Sequence, residues 1–171
     1  MIFMAMLAIV IPASAALPID SYTIKRDKLP EAAREMLDKH FPKAKISMIR
    51  VDRHLLRKTD YDVKLTNGTK IEFDNKGNWT SIDCKKREVP TDLVNKTVKR
   101  HVTKNYSKAK IVSIRKKLSG YVIGLSDSKT LKYDLFGTFK GEVDAKEKQA
   151  DPEEQTDQTE DAVPAEQAAA L

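Results

Sequence analysis

The feature that most constrains the fold is a seven-residue segment that occurs twice in the chain, with small differences. FPKAKIS occupies residues 41–47, and YSKAKIV occupies residues 106–112. The residues after each copy also match, since residues 61–65 (YDVKL) correspond to residues 121–125 (YVIGL). The offset between copies is 65 at the KAKI segment and 60 beyond it. Self-similarity of this kind indicates two copies of one supersecondary unit.

Each copy opens with a predicted amphipathic helix. Leu29-Pro30 begins the first helix and Val89-Pro90 the second, with proline at the tolerated first helical position. The apolar residues recur at helical spacing, which places them on one face. In the first copy they are Leu29, Ala33, Met36, Leu37 and His40/Phe41; in the second they are Val94, Val98, His101/Val102 and Tyr106.

Four short strands are predicted after each helix. Alternation of apolar and polar residues, as in residues 60–66, is typical of half-buried antiparallel strands. Asn67-Gly68 predicts a two-residue hairpin, Asp127-Ser128 replaces it in the second copy, and Gly77 and Gly137 are expected at positive φ. The predicted strands are 45–52, 60–66, 69–74 and 79–84, then 110–117, 120–126, 129–134 and 138–143.

The fold class follows from this pattern. We expect an α+β protein of two tandem helix-plus-four-stranded antiparallel sheet repeats, with the helices packed on one sheet face. Repeat 1 covers residues 29–84, a linker 85–88, and repeat 2 residues 89–144. The change of offset predicts a longer loop at 51–60 in repeat 1 and a longer helix in repeat 2.

The N-terminus predicts export. Residues 1–16 are uncharged and apolar and end in small residues, as in a signal peptide that is cleaved after Ala15 or Ala16. The run is shorter than the ~20 residues of a membrane span, so no stable span is expected after cleavage. The expected location is periplasmic or secreted, with residues 17–28 as a lead-in. Because no basic residue precedes the apolar run, a basic region is expected upstream of Met1.

Charge is divided sharply along the chain. Residues 1–148 hold all 31 lysines and arginines and 18 of the 25 acidic residues, a net charge of +13. Residues 149–171 hold seven acidic residues and no basic one, a net charge of −7. Few branched or aromatic residues occur beyond residue 144, so 145–171 is predicted to be an acidic disordered tail.

Sequence motifs for catalysis or metal binding are lacking. Cys84 is the single cysteine and has no neighbouring histidine or carboxylate in a thiol-enzyme pattern, and no intrachain disulfide can form. His40, His54 and His101 are scattered, and Lys76 interrupts the only calcium-like loop. No catalytic residue, metal or cofactor is predicted, and the protein is not expected to be an enzyme. A small hydrolase would require a pocket with convergent polar groups.

These segments, in this order, resemble the PepSY-like, beta-lactamase-inhibitor-protein-like family of exported bacterial proteins. The resemblance covers residues 17–144. It is carried by Leu17-Pro18-Ile19-Asp20, the two [LV]-P helix starts, both KAKI segments, Tyr61-Asp62-Val63-Lys64-Leu65, Gly77-Asn78-Trp79 and Ile82-Asp83. It implies a non-enzymatic envelope binding module, similar in fold to an inhibitor whose concave sheet clamps an enzyme loop.

Strand alternation yields a candidate partner surface. If Val63 and Leu65 face the helix, then Lys64, Lys70 and Glu72 face away from it. Trp79 would supply the aromatic anchor of a protein-binding patch at this face. The alternative is that Trp79 belongs to the core and is matched by Phe139 in the second copy. The expected partner is an unidentified envelope or extracellular protein, and a peptidase or other hydrolase is the form the resemblance implies.

Basic clusters suggest an alternative function. They are Lys85-Lys86-Arg87, Lys99-Arg100-His101 and Arg115-Lys116-Lys117. Export and the lack of interleaved aromatic residues argue against nucleic acid. The alternative is therefore an envelope structural or polyanion-binding protein that acts through its basic surface. Binding through many lysines would weaken steeply with salt, which separates this alternative from an aromatic-anchored protein interface.

Overall fold

The computed structural model of the protein describes residues 20–53 and 59–143. The predicted signal peptide, the acidic tail and His54 lie outside these residues. The chain divides into two compact units, Met1–Thr80 and Ser81–Leu171. Each contains one α-helix and antiparallel strands, so the protein is a mostly antiparallel α+β protein, in agreement with the predicted class.

The first unit contains α1 and the strands up to the start of β5. The order of its hydrogen-bonded strands follows the chain, β1-β2-β3-β4-β5, and the pairs β1–β2, β2–β3 and β3–β4 are antiparallel. A 3-10 turn, Arg26–Lys28, precedes the helix. The elements are β1 (Ser21–Thr23), α1 (Glu31–His40), β2 (Ile46–Asp52), β3 (Asp60–Leu65), β4 (Lys70–Phe73) and β5 (Trp79–Asp83).

The second unit continues from Ser81 within β5. Its strand order is β5-β6-β7-β8-β9, and each of these pairs is antiparallel. A 3-10 turn, Thr91–Leu93, precedes its helix. The elements are α2 (Lys96–Asn105), β6 (Ile111–Lys117), β7 (Gly120–Leu125), β8 (Thr130–Asp134) and β9 (Phe139–Glu142). All eight strands predicted after the helices are present, with bounds within one residue.

Two features of the chain differ from the predictions. The lead-in contains a strand, β1, which pairs with β2 through Tyr22 opposite Arg50. The helix of the second copy is not longer, because α1 and α2 each span ten residues. The additional residues before α2 form the 3-10 turn and Asn95, whose Oδ1 accepts a hydrogen bond from the Thr97 backbone N–H at 2.8 Å. An asparagine cap satisfies a donor that the helix itself leaves unpaired.

The strand alternation decides which side chains are buried. In β3, Val63 and Leu65 are each 1% exposed, whereas Lys64 between them is exposed. β4 repeats the pattern, with Ile71 and Phe73 buried beside Lys70 and Glu72. The period of two predicted from the sequence is therefore the observed one. Each helix buries two residues of its apolar face, Ala33 and Leu37 in α1 and Val98 and Val102 in α2.

A glycine turn in each unit lies against the start of the helix. Gly77 (φ +85°) follows β4, and a Cβ there would lie 2.8 Å from the Ala33 backbone nitrogen and 2.9 Å from the Pro30 Cβ. Gly137 (φ +84°) follows β8, and a Cβ there would lie 2.9 Å from the Asn95 Oδ1. The predicted positive φ is confirmed at both glycines. The sequence did not reveal that these turns also require the absence of a side chain.

We predict that Gly77→Ala destabilises the protein by about 2–3 kcal/mol, because the left-handed φ is strained and the Cβ meets backbone. Gly68 is the matched control, with the same φ of +85° and nothing within 4 Å of its Cβ position. Gly68→Ala should cost about 1 kcal/mol, the contribution of φ alone. Urea unfolding of both variants measures the difference, and equal losses would show that the close contact at Gly77 contributes nothing.

Candidate functional site

The strand registers place a row of polar side chains across one face of the first unit. Tyr22 lies opposite Arg50, Arg50 opposite Asp62, and Asp62 opposite Glu72. Tyr22 is 63% exposed and Glu72 is exposed. This row, called the arginine row below, therefore contains one cation, Arg50, followed by the two carboxylates of Asp62 and Glu72.

Arg50 is held in place by carboxylates of its own unit. Its Nε donates to the Asp62 Oδ2 at 2.8 Å, and its guanidinium also pairs with Asp62 through Nη2, with Asp20 at 3.4 Å and with Asp52 at 4.0 Å. The hydrogen bond with Asp62 is the main cause of a raised pKa of Arg50, and the nearby carboxylates outweigh partial burial. The positive charge of Arg50 is thus neutralised within the protein.

A second row of side chains lies beside the arginine row and contains one methionine and two lysines. Met48 lies opposite Lys64, and Lys64 lies opposite Lys70. Both lysines are exposed and Met48 is 36% exposed. Like charges directly opposite each other on a sheet are unfavourable. These three residues, Met48, Lys64 and Lys70, are called the lysine row below.

The predicted site residues are brought together in part. Lys64, Lys70 and Glu72 are on adjacent strands with the exposure that alternation predicted. Trp79 begins β5 and is half-buried rather than exposed. Phe139, its counterpart in the second unit, stacks on His101 of α2 with ring centroids 4.6 Å apart. Whether Trp79 serves a partner or the core stays a prediction.

The corresponding positions of the second unit form a groove instead of a charged row. Ser113 lies opposite Gly124, and Gly124 lies opposite Thr130, where the first unit has Met48, Lys64 and Lys70. A Cβ at position 124 would lie 2.2 Å from the Ser113 Oγ. The result is a concavity of about 420 Å³ on the sheet, lined in part by Ser81, Asp83, Ser113, Arg115, Gly124, Lys129 and Thr130.

The groove has hydroxyl groups and charges but no histidine among its lining residues. Asp83, its carboxylate, accepts from the backbone N–H of Lys85 at 2.8 Å and from the Lys85 Nζ at 2.7 Å. Activation of a serine requires a base within hydrogen-bond reach that is itself free to take a proton. The arrangement is therefore suited to binding polar groups. The sequence analysis did not predict this groove. Its only signal in the sequence is that three positions of the second copy have smaller side chains than the matching positions of the first.

The basic clusters identified in the sequence lie on different elements of the second unit. Lys85-Lys86-Arg87 are exposed on the turn after β5, and Lys99 and Arg100 are exposed on α2. His101 is half-buried, and its Nδ1 lies 2.9 Å from the Tyr133 hydroxyl. Burial is the main cause that raises the pKa of Tyr133 to about 12, with a smaller effect of Tyr106. His101 thus belongs to an aromatic cluster and not to a basic surface.

The calcium-like turn after β4 is closed by its own hydrogen bonds. Asp74 Oδ1 accepts from the backbone N–H groups of Lys76 and Asn78, both at 2.9 Å, and Oδ2 accepts from the Asn78 side chain at 3.0 Å. Burial raises the pKa of Asp74, but these hydrogen bonds outweigh burial and lower it overall. In the described part of the chain no group of three or more histidine, cysteine or acidic side chains is placed to hold a metal ion.

No helix within residues 20–53 and 59–143 is long and apolar enough to cross a membrane.

Comparison with known proteins agrees with this geometry. The family described as "Putative beta-lactamase-inhibitor-like, PepSY-like" matches residues 59–141. A "putative periplasmic protein of unknown function" from Bacteroides vulgatus is 38% identical, with a TM-score of 0.70 over 73% of this chain and 99% of its own. The chain belongs to the PepSY-like family. The resemblance inferred from the two repeats is therefore confirmed.

Two further solved structures are similar to this chain. A "putative calcium-regulated periplasmic protein" from Bacteroides thetaiotaomicron is 32% identical, with a TM-score of 0.69, over 73% of this chain and 97% of its own. A second "putative periplasmic protein" from B. vulgatus is 33% identical, with a TM-score of 0.68 and the same coverage of both chains. No curated protein matches this chain.

We predict that Asp74→Asn lowers stability in a pH-dependent way. A lowered folded-state pKa means that the carboxylate contributes stability above its unfolded pKa of about 4, and this is lost as the pH falls through the folded value. Because Asp74 is largely solvated, the loss at pH 7 should be only about 0.5–1 kcal/mol. Unfolding curves of both proteins should converge near pH 2.

The control is Asp127→Asn in the β7–β8 turn, where the carboxylate accepts a longer bond, 3.3 Å, from the Lys129 N–H. Its effect should be smaller at every pH. A constant difference between Asp74→Asn and the wild type from pH 7 to pH 2 would contradict the role of the charged carboxylate.

Proposed function

We propose that this PepSY-like protein is a non-enzymatic binding module of the cell envelope that binds another protein through the open sheet face of its first unit. The observation that carries the proposal is the lysine row, in which Met48, Lys64 and Lys70 are exposed on adjacent strands. The neighbouring Glu72 adds a charge of opposite sign. Methionine and aromatic residues are enriched at recognition surfaces, and we assign Trp79 to the same surface as its aromatic anchor.

The lysine row is a better candidate than the arginine row for a physical reason. Arg50 already has carboxylate partners, so a partner protein would have to replace those contacts in order to gain affinity. Lys64 and Lys70 face each other, and a partner carboxylate between them would relieve their repulsion. We therefore propose that the partner presents an acidic group together with an apolar one.

The similarity of the two units also supports the proposed binding function. We infer that they are duplicates of one helix-plus-four-strand unit, since ten-residue helices and matched strands recur at offsets of 65 and 60. Duplication frees one copy to change its surface while each unit keeps the interior pattern of its own fold. We propose that the partner is a peptidase or other hydrolase, as the family resemblance implies. The protein would then act as an inhibitor of that enzyme.

We also propose that the chain is exported with residues 1–16 as its signal peptide, which agrees with periplasmic proteins being its structural neighbours. Mass spectrometry of the protein purified from cells should give a mature N-terminus at Ala16 or Leu17. Retention of Met1 in the envelope fraction would contradict cleavage.

Charge reversal tests the surface. Lys64→Glu with Lys70→Glu should weaken capture of the native partner by about tenfold or more, since both acid-binding groups become repulsive. Trp79→Ala should do the same if the indole is an anchor. Photo-crosslinking from position 64 in intact cells identifies the partner, and titration of the purified pair measures the affinity.

The matched control is Lys39→Glu, an exposed lysine on α1 of the same unit. It should leave affinity unchanged, and circular dichroism should show that all variants fold. The proposal fails if the charge-reversed protein binds as the wild type does, or if Lys39→Glu causes the same loss.

A second candidate function, binding of an anionic polymer through a basic surface, is favoured by one observation. Four cations occupy the exposed side of α2 without any acidic residue in the helix. Affinity that falls steeply between low and physiological salt would favour this candidate over the protein interface.

A further inference from the structure

All charged residues on the exposed side of α2 are basic. Lys96, Lys99, Arg100 and Lys104 are all exposed and, with Thr103, line one shallow depression along the helix. The helix sequence, KTVKRHVTKN, has no acidic residue. At 1.5 Å rise per residue the cations extend over about 12 Å. We call these four residues the α2 stripe.

The matched positions of α1 carry mixed charge instead of positive charge alone. At an offset of 65 the first unit has Glu31, Arg34, Glu35, Asp38 and Lys39, a mixture of both signs. Arg26 also covers this side, with its Nη2 2.6 Å from the Asp38 Oδ1 and 2.7 Å from the Arg34 carbonyl oxygen. Helices of equal length on the same fold therefore differ at the positions where the fold leaves the choice of charge free.

The α2 stripe is unfavourable as it stands. Lys96 occupies the first turn, where the helix dipole disfavours a cation. Lys96 and Arg100, and likewise Arg100 and Lys104, are like charges four residues apart, which repel on a helix surface. Among the described residues no carboxylate forms an ion pair with any of the four. No carboxylate of the described residues offsets this repulsion, so only an anion from outside them can do so.

The same chain carries an acidic segment that follows β9 in the sequence. β9 ends at Glu142, and the Val143 N–H donates to the Thr130 carbonyl at 2.7 Å. The adjacent Lys129 holds its Nζ 5.2 Å from the centre of the Tyr106 ring, and Tyr106 is the residue that ends α2. The chain therefore leaves the second unit close to the C-terminal end of the stripe.

The length and the negative charge of the chain after Val143 match the length and the positive charge of the α2 stripe. Residues 149–171 contain seven acidic residues and no basic one. Five residues, 144–148, separate Val143 from this segment. A random coil of that length has a root-mean-square span of about 11–13 Å, similar to the length of the stripe. Covalent attachment gives such a segment a high effective concentration, on the order of millimolar, at a nearby surface.

We propose that the α2 stripe is the docking surface of the acidic segment 149–171 of the same chain. The segment neutralises cations that repel one another and that oppose the helix dipole. An external anionic polymer must then displace it before it can use the stripe. This contact is independent of the lysine row on the first unit, so either proposal can fail without the other.

Zero-length carbodiimide cross-linking of the full chain tests the contact, because it adds no spacer and joins a carboxylate to a lysine only where the two groups meet directly. Mapped by mass spectrometry at low salt, cross-links from the segment should concentrate on Lys96, Lys99 and Lys104. Exposed lysines elsewhere serve as internal controls: Lys39, Lys64, Lys70, Lys85 and Lys86. The yield at α2 should fall several-fold at about 0.5 M NaCl. Mixed light and heavy isotope-labelled chains show whether each cross-link is intramolecular.

Two full-length variants complete the test. In the first, Lys99→Glu and Arg100→Glu should abolish most cross-links to Lys96 and Lys104, whereas Arg34→Glu on α1 should not. In the second, amides replace all seven segment carboxylates, and affinity of the stripe for poly-L-glutamate should rise on the order of tenfold. The replaced residues are Asp151, Glu153, Glu154, Asp157, Glu160, Asp161 and Glu166.

The outcomes separate clearly. Intramolecular cross-links that concentrate on α2 and depend on its charge support the proposal. Cross-links spread evenly over the control lysines, absent at low salt, or formed only between two chains overturn it. Unchanged poly-L-glutamate affinity in the neutralised variant overturns it as well, since an undocked segment would not compete.

Discussion

The structure depends on the close approach of a glycine turn to the start of each helix. Gly77 contacts the backbone of α1 near Ala33, and Gly137 contacts the cap of α2 at Asn95. A side chain at Gly77 would clash with the backbone of α1, and one at Gly137 would displace the Asn95 side chain that caps α2. Within each unit these contacts fix where the helix begins relative to the strands. The strand registers then decide which residues face solvent.

Because the interior is fixed in this way, the two units differ mainly at solvent-facing positions. Opposed strands carry Met48, Lys64 and Lys70 in the first unit, whereas the second has Ser113, Gly124 and Thr130. One set projects as a charged row, and the other recedes into a groove. The helices diverge in the same manner, with mixed charge on α1 and only positive charge on α2. Functional differences are expected where burial imposes no requirement on the side chain.

Different parts of the candidate sites were predictable to different degrees. The exposure of Lys64, Lys70 and Glu72 follows from strand alternation, which is a local property. The half-buried state of Trp79 does not, because it depends on what packs beside the start of β5. The carboxylate partners of Arg50 were also hidden, since Asp20 and Asp62 come from distant segments that only strand pairing unites. The strand β1 was missed because a strand of three residues is too short to show a period.

The sequence by itself determined the α+β class, the family, the bounds of eight strands, the positive φ of two turn glycines and the separation of charge along the chain. These properties rest on short-range rules of periodicity, turn chemistry and composition. Only the tertiary structure decided that the extra residues before α2 form a capped 3-10 turn, that small residues in three strands meet as a groove, and that four cations of one helix have no carboxylate beside them in the described residues. Such features depend on which distant segments become neighbours, and neighbourhood is set by packing of the folded chain.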